Sequence, residues 1–349
     1  MKVIGRVILS AVLLIVTGIA MAVAAFAPDV IFGFYTQFSQ TALSAVASVT
    51  GMLPFALWEW LAAAVVLLML YFLFRKFRPL AWLTGVLVFC SAAALVFTAL
   101  WGLNYFAPSV DARLGLHREP YSTQTLKEAT LYMAQQAGQA AELVERDENG
   151  SMVCDFDGWA AIAGEGYEPL AQHDAAFAGG AQTVKKLLSG RLFSYMGYTG
   201  IFVPFTAEAN VNPETAATSL PFTMCHELAH SKNVAREDEA NFCAFLACLN
   251  NPDPDFRYSA WYNAFSYTYA SLYKIDRAAA LEVADAVSET LRRDRNAAGE
   301  HYAQFDGPVQ EAAQKVNDLY LKTAGDKSGT ESYGEVTDLL VAWYQSSFQ

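Results

Sequence analysis

With 349 residues, of which 54% are hydrophobic and 17% charged, and a mean hydropathy of +0.21, the chain is too apolar for an ordinary soluble enzyme and long enough for two domains. Its net charge of -12 excludes the basic face on which nucleic-acid binding depends.

The apolarity is concentrated at the front. Residues 7–27 carry no charge and are long enough to cross a hydrocarbon core of about 30 Å, so they are expected to form a first span. Residues 55–74 predict a second, with its only charge, Glu59, between Trp58 and Trp60 at the water boundary. Residues 80–104 predict a third, inside a stretch from Pro79 to Val110 without a charged side chain; Trp101 and Tyr105 are expected as interfacial aromatics at its end. Lys2 and Arg6 precede the first span and Arg75, Lys76 and Arg78 join the second to the third, whereas the connection between spans one and two holds only Asp29. The excess of basic residues on the cytoplasmic side therefore places the N-terminus in the cytoplasm and everything after about residue 106 outside a bacterial cell membrane. Ala25-Phe26-Ala27 resembles a signal-peptidase site, but the apolar run before it exceeds the length usual for a signal peptide and is read as a retained span.

From residue 107 the composition becomes that of a globular protein with helical periodicity. Thr125 and Glu128 have the spacing of a capping box at the head of a helix whose apolar face is Leu126, Ala129, Met133, Ala137, Ala141 and Val144, ended by the turn-forming run 147–150. Tyr198 to Thr206 is the best strand in the chain, and Pro204, which has no N–H to donate, makes it an edge. Further helices are predicted over 261–273, 277–293, 309–323 and 333–344. The cysteines include no CxxC pair, and Cys225, Cys243 and Cys248 lie in apolar helical surroundings, where a thiol acts as a small hydrophobe.

The chemistry is concentrated between Pro221 and Cys248, where His226-Glu227-Leu-Ala-His230 forms an HExxH motif. On a helix, residues four apart share a face, so His226 and His230 can converge on one tetrahedral zinc ion. Glu227, about 100° further round, can reach a water on the metal and act as general base. A third ligand must follow. If a second helix starts near Arg236, Glu237 and Asn241 share one face and supply a ligand and an amide that orients a histidine; Glu239 is the alternative ligand, and Asp238 and Glu239 otherwise read as a solvated helix start. The short link from Ser231 to Arg236 requires a tight reversal, for which Asn233 in the left-handed region is the natural residue. His301 and Tyr333 are candidates to donate a hydrogen bond to the developing oxyanion.

The HELAH block followed by Glu237-Asp-Glu-Ala-Asn241 resembles the ExxA(D/N) second helix of HExxH gluzincins, among them membrane CAAX-type peptidases. Over essentially its whole length the chain resembles a bacterial domain-of-unknown-function family, number 3810. The shared features are GMLPFALWEWL before the second span, WGLNYF after the third, HELAH with AREDEANF, and SYGEVTDLLVAW near the C-terminus. Asn233 stands where that family usually has glycine. The resemblance implies a mainly α architecture, with three transmembrane helices in residues 1–106 and a mostly helical zincin-like α+β domain with a small sheet in residues 107–349. It also implies zinc peptidase chemistry on a peptide or protein substrate, with His226, His230 and Glu237 as ligands and Glu227 as base. A non-enzymatic sensor or scaffold at the membrane, and an amidase acting on cell-wall peptides, are the competing readings.

Overall fold

A computed structural model describes residues 3–75, 78–325 and 335–348. The apolar runs form helices α1 (Val3–Phe26), α4 (Leu57–Arg75) and α5 (Pro79–Leu100), and two helices lie between the first and second of them, α2 (Pro28–Phe32) and α3 (Tyr35–Thr50). All three long helices have the length and composition to cross a membrane. Helix α4 buries none of its nineteen residues, and an apolar helix so widely exposed is suited to lipid surroundings.

Helices α1 and α5 pack together through a seam visible in the sequence only in retrospect. Their buried positions are Ser10, Thr17 and Ala24 on one and Thr84, Ser91 and Thr98 on the other, each set repeating every seven residues. Small side chains at heptad spacing allow close backbone approach. The hydroxyls of Ser10, Thr17, Thr84 and Ser91 bond back to carbonyls four residues earlier, so none is left unpaired against lipid. Arg6 binds the Ala81 carbonyl at one end of the pair, and the Tyr35 hydroxyl binds the Thr98 carbonyl at the other.

The third span ends at Leu100, four residues short of its expected limit, because residues 102–106 tighten into a 3₁₀ turn. Trp101, Leu103, Asn104 and Tyr105 are buried there. Trp101 and Tyr105 are thus not interfacial aromatics. They form a small core with Leu43 of α3, Phe202, Ala207, Ala235 and Leu321.

The remaining elements, in order, are α6 (Val110–Leu114), α7 (Thr123–Ala140), α8 (Phe156–Ile162), α9 (Glu168–His173), β1 (Val184–Lys186), α10 (Gly190–Met196), β2 (Gly200–Val203), β3 (Glu208–Val211), α11 (Leu220–Ser231), α12 (Glu237–Asn250), α13 (Pro254–Ile275), α14 (Arg277–Ala286), α15 (Glu289–Ala303), α16 (Pro308–Ala324) and α17 (Glu335–Ser347). The fold is mainly helical with one three-stranded sheet of order β1-β3-β2, in which β3 pairs parallel to β1 and antiparallel to β2. The expected strand is therefore an edge, shortened to four residues: the chain leaves it at Pro204 and turns back through Ala207, whose φ is 49°. The main core lies between α7, α11, α12, α13 and α17, and the predicted apolar face of α7 is buried throughout. Its cap differs from expectation. Ser122, not Thr125, accepts the free backbone N–H, at 3.1 Å from Thr125 N. The run 277–293 divides at Val287, where Ser288 caps a new helix and accepts from Leu291 N.

Two carboxylates, Glu208 buried and Glu59 half-buried, cross-cap the apolar helices and the sheet region. Glu208 of β3 accepts from the Leu57 and Trp58 amides at the start of α4, at 3.0 and 3.1 Å, and pairs with Lys185, which also donates to the Thr50 and Phe55 carbonyls. In return, Glu59 in the first turn of α4 accepts from the Leu188 and Ser189 amides ahead of α10, both at 2.9 Å. Each acid neutralises the positive end of a helix on the opposite side of the junction.

Candidate metal centre

Pro221 occupies the first turn of α11, where a missing N–H costs nothing, and the helix carries the HELAH residues into the interior. It ends in a reversal at Asn233, whose φ of 67° is the left-handed conformation expected from the sequence. The asparagine also has work that glycine cannot do. Its Oδ1 lies 2.9 Å from Ser39 Oγ and accepts from Asn104 Nδ2 at 3.2 Å, and its Nδ2 donates to the Thr36 carbonyl. The turn is thereby tied to α3 and to the residues following α5.

The reversal brings Glu237, the first residue of α12, back to the histidines. His226, His230 and Glu237 present ligand atoms that all lie within 4.8 Å of one another. His226 Nε2 is 3.0 Å from His230 Nε2 and 3.2 Å from a Glu237 oxygen, and His230 Nε2 is 3.7 Å from the other. Ligands about 2.0–2.1 Å from one tetrahedral zinc stand roughly 3.3 Å apart, and the three observed spacings bracket that value.

The opposite ring nitrogens are fixed. His230 Nδ1 faces the Val234 carbonyl at 2.7 Å, and His226 Nδ1 faces Asn241 Oδ1 at 2.9 Å, with the Tyr267 hydroxyl donating to the same oxygen at 3.1 Å. Facing acceptors, both Nδ1 atoms carry the hydrogen and both Nε2 atoms turn lone pairs inward. Two lone pairs and a carboxylate converging at these distances repel one another unless a cation joins them. These residues fit a zinc ion.

In the metal-free chain the acids and bases adjust to the crowding. Burial lowers the His226 imidazolium pKa, but the hydrogen bond and charge of Glu237 more than reverse this, leaving it above its ordinary value. Burial holds His230 down at about 4. Burial would raise Glu237, yet its hydrogen bond to His226 and the charges of both histidines take it to about 2. For Glu227 burial prevails and raises it to about 8, the His226 charge and a hydrogen bond from the Phe202 backbone opposing the rise and the nearby Glu237 charge adding to it. One oxygen of Glu227, Oε2, is buried without a hydrogen-bond partner.

The edge strand closes over this acid. A Cβ built on Gly200 would stand 2.4 Å from Glu227 Oε1 and 2.7 Å from its Cγ. Gly200→Ala is accordingly expected to push the carboxylate aside, lowering turnover by about a hundredfold while the metal content stays unchanged, since misplacement by an ångström costs on that order. Parallel elemental analysis and turnover measurement check this, and unaltered turnover refutes the close approach.

The other candidates lie elsewhere. Glu239 is buried and committed to Arg236 and the Val110 amide, and Asp238 is buried beside Arg118, so neither forms a solvated helix start. His301 Nε2 sits 2.6 Å from the Glu214 carbonyl, with Gln304 as its other partner. Tyr333 lies outside the described residues. The five cysteines are free thiols.

Three supports escaped the sequence reading. Trp101 donates Nε1–H to the His230 carbonyl at 2.8 Å, with its ring 6.0 Å from the imidazole. Buried Lys232 donates to the Gly179 carbonyl and stands over the Tyr167 ring. Burial, with Glu237's charge added, raises the Tyr198 and Tyr320 phenols, so these tyrosines share the site's field. Trp101 and Tyr198 stand out in the sequence, one within the WGLNYF run and the other at the head of the expected strand, but not as neighbours of the site.

Neither a curated protein nor a solved structure matches the chain. A family model described as "Protein of unknown function (DUF3810)" matches residues 34–341, a range that includes α3, the WGLNYF turn, the metal-ligand cluster and most of α17, and the chain belongs to that family.

Proposed function

We propose that the chain is a membrane-anchored zinc-dependent metallopeptidase, held in a bacterial cell membrane by α1, α4 and α5, with its candidate metal centre on the extracytoplasmic side. One observation carries the reading: the Nε2 lone pairs of His226 and His230 and the carboxylate of Glu237 converge at 3.0–3.7 Å, beside a buried acid with an unpartnered oxygen. His226, His230 and Glu237 would hold the ion, and zinc, when bound, supplies the Lewis acidity that polarises a carbonyl and acidifies water.

The rest of the work belongs to the protein. Asn241 and the Val234 carbonyl hold the imidazoles in the ligand tautomer. Glu227, close enough to feel the charges of His226 and Glu237, takes a proton from the attacking water and returns it to the leaving amine. Beside a bound cation Glu227 would be ionised and able to accept that proton. Strand β2, an edge whose Gly200 touches Glu227, is a template on which an extended peptide can pair as a further strand.

The test is the metal itself. Purified chain is expected to hold about one zinc, and His226→Ala and Glu237→Gln are each expected to lose it, as a catalytic site needs three protein ligands. An intact, folded chain that binds no zinc in elemental analysis or in titration with added zinc overturns the reading.

A further inference from the structure

We propose that α16 lies in the bilayer interface beside the end of α5, and that the candidate metal centre it flanks takes the juxtamembrane segment of a membrane-anchored polypeptide. The substrate class rests on the peptidase reading above; the placement of α16 does not.

The first observation is depth. Helix α5 has 22 residues, and at about 1.5 Å per residue it spans some 33 Å, close to the hydrocarbon thickness of about 30 Å. Its end at Leu100 therefore stands at the membrane surface. The next residue, Trp101, hydrogen-bonds the backbone of His230. The candidate metal centre is thus separated from the end of a span by a single side chain.

The second observation is the shape of α16, which has three faces. Ala313, Leu321 and Ala324 are buried against the protein. Glu311, Lys315, Asp318 and Lys322 form a charged face, as expected towards water. Between these lies a third stripe, Val309, Val316, Leu319 and Tyr320, at the i, i+7, i+10, i+11 spacing of one helix face and between 42% and 67% exposed. A helix wholly in water has no use for that stripe, whereas an interfacial helix buries it among acyl chains.

The third observation is continuity with the spans. The Tyr320 ring lies 6.3 Å from that of Phe97, in the last turn of α5, and exposed Phe205 of the β2–β3 turn lies 6.5 Å from the same ring. Exposed Leu188 has its amide held by Glu59, in the first turn of α4. The stripe on α16, Phe205 and Leu188 thus extend the lipid-facing surface of α4 and α5 onto the face that carries β2. A soluble chain would have to reach the site past lipid headgroups; a chain emerging from the bilayer is delivered to it.

The experiment uses the full-length zinc-loaded protein reconstituted in phosphatidylcholine vesicles. A randomised peptide library is attached to a single hydrophobic helix in the same vesicles through a spacer of either about three or about thirty Gly/Ser residues, the longer reaching roughly 30 Å from the surface by random-coil dimensions. Both formats have the same membrane density, so tethering alone favours neither. The short spacer is expected to be cleaved at least tenfold faster, and Leu319→Glu is expected to reduce that preference at least threefold while leaving the long-spacer rate unchanged. Equal rates for the two spacers overturn the inference and leave the peptidase reading standing. A preference untouched by Leu319→Glu overturns the placement of α16. Cleavage of neither format overturns the peptidase reading and the substrate class with it.

Discussion

Glu227→Gln is expected to retain about one zinc per chain and to lower peptide turnover by roughly 10²–10⁴-fold, the range over which a positioned general base contributes. The substitution is nearly isosteric, so the packing against Gly200 and the positions of the three ligands survive. What is lost is the capacity to accept a proton. The amide removes the negative charge beside the histidines, and the metal-ligand set of two imidazoles and one carboxylate is unchanged. The measurement is turnover on whichever library member the native chain cleaves, beside metal content on the same sample. Turnover within about tenfold of native, with zinc present, would falsify the assignment of the base while sparing the metal site.

The second large effect is expected away from the chemistry. Glu208→Ala removes an acid that is 2% exposed and engages Lys185 and the first two amides of α4. Breaking a buried pair leaves the partner uncompensated, which costs about 3–5 kcal/mol, and two helix-start N–H groups lose their acceptor besides. Denaturant unfolding of the full-length protein in detergent is expected to show a loss of that size. Adding Lys185→Met to Glu208→Ala should recover part of it, because the unpaired charge goes too. A single variant within about 1 kcal/mol of native shows that the junction between spans and sheet is not held by this acid.

How far the sequence could be read depended on whether the signal was local. The three spans announce themselves by uninterrupted apolarity, and the site by HExxH, the polar link after it and Glu237 at the head of the next helix. All of these rest on relations within a turn or two of the chain. The return of Glu237 to the two histidines needed one geometric step more, a left-handed residue, and Asn233 supplied it.

What stayed illegible is what forms only at long range. Strands β1 and β3 have three and four residues, too few to show a period, and β3 is buried at every position, so nothing alternates. Helix α3 looked like part of a connection because its role lies in contacts such as Ser39 to Asn233, 194 residues away. Trp101 was assigned to the lipid boundary on the strength of its type and place. Its true partner, the His230 carbonyl, is 129 residues further on. The acids misread as solvated, Asp238 and Glu239, are buried because α6 and the Arg118 and Arg236 side chains cover them, which the local sequence does not encode.

That tryptophan bears on how the protein can be handled. A soluble fragment begun at residue 107, the natural place to cut if membrane anchor and enzyme were separate bodies, would lose Trp101, Tyr105, Asn104 and all of α3. It would expose Phe202, Ala207, Ala235 and Leu321, and leave both the His230 carbonyl and the Asn233 side chain without the partners that fix the turn between the two ligand-bearing helices. Trimming the apolar helices removes the floor beneath the candidate metal centre, so purification for any assay has to carry the spans along in detergent or lipid.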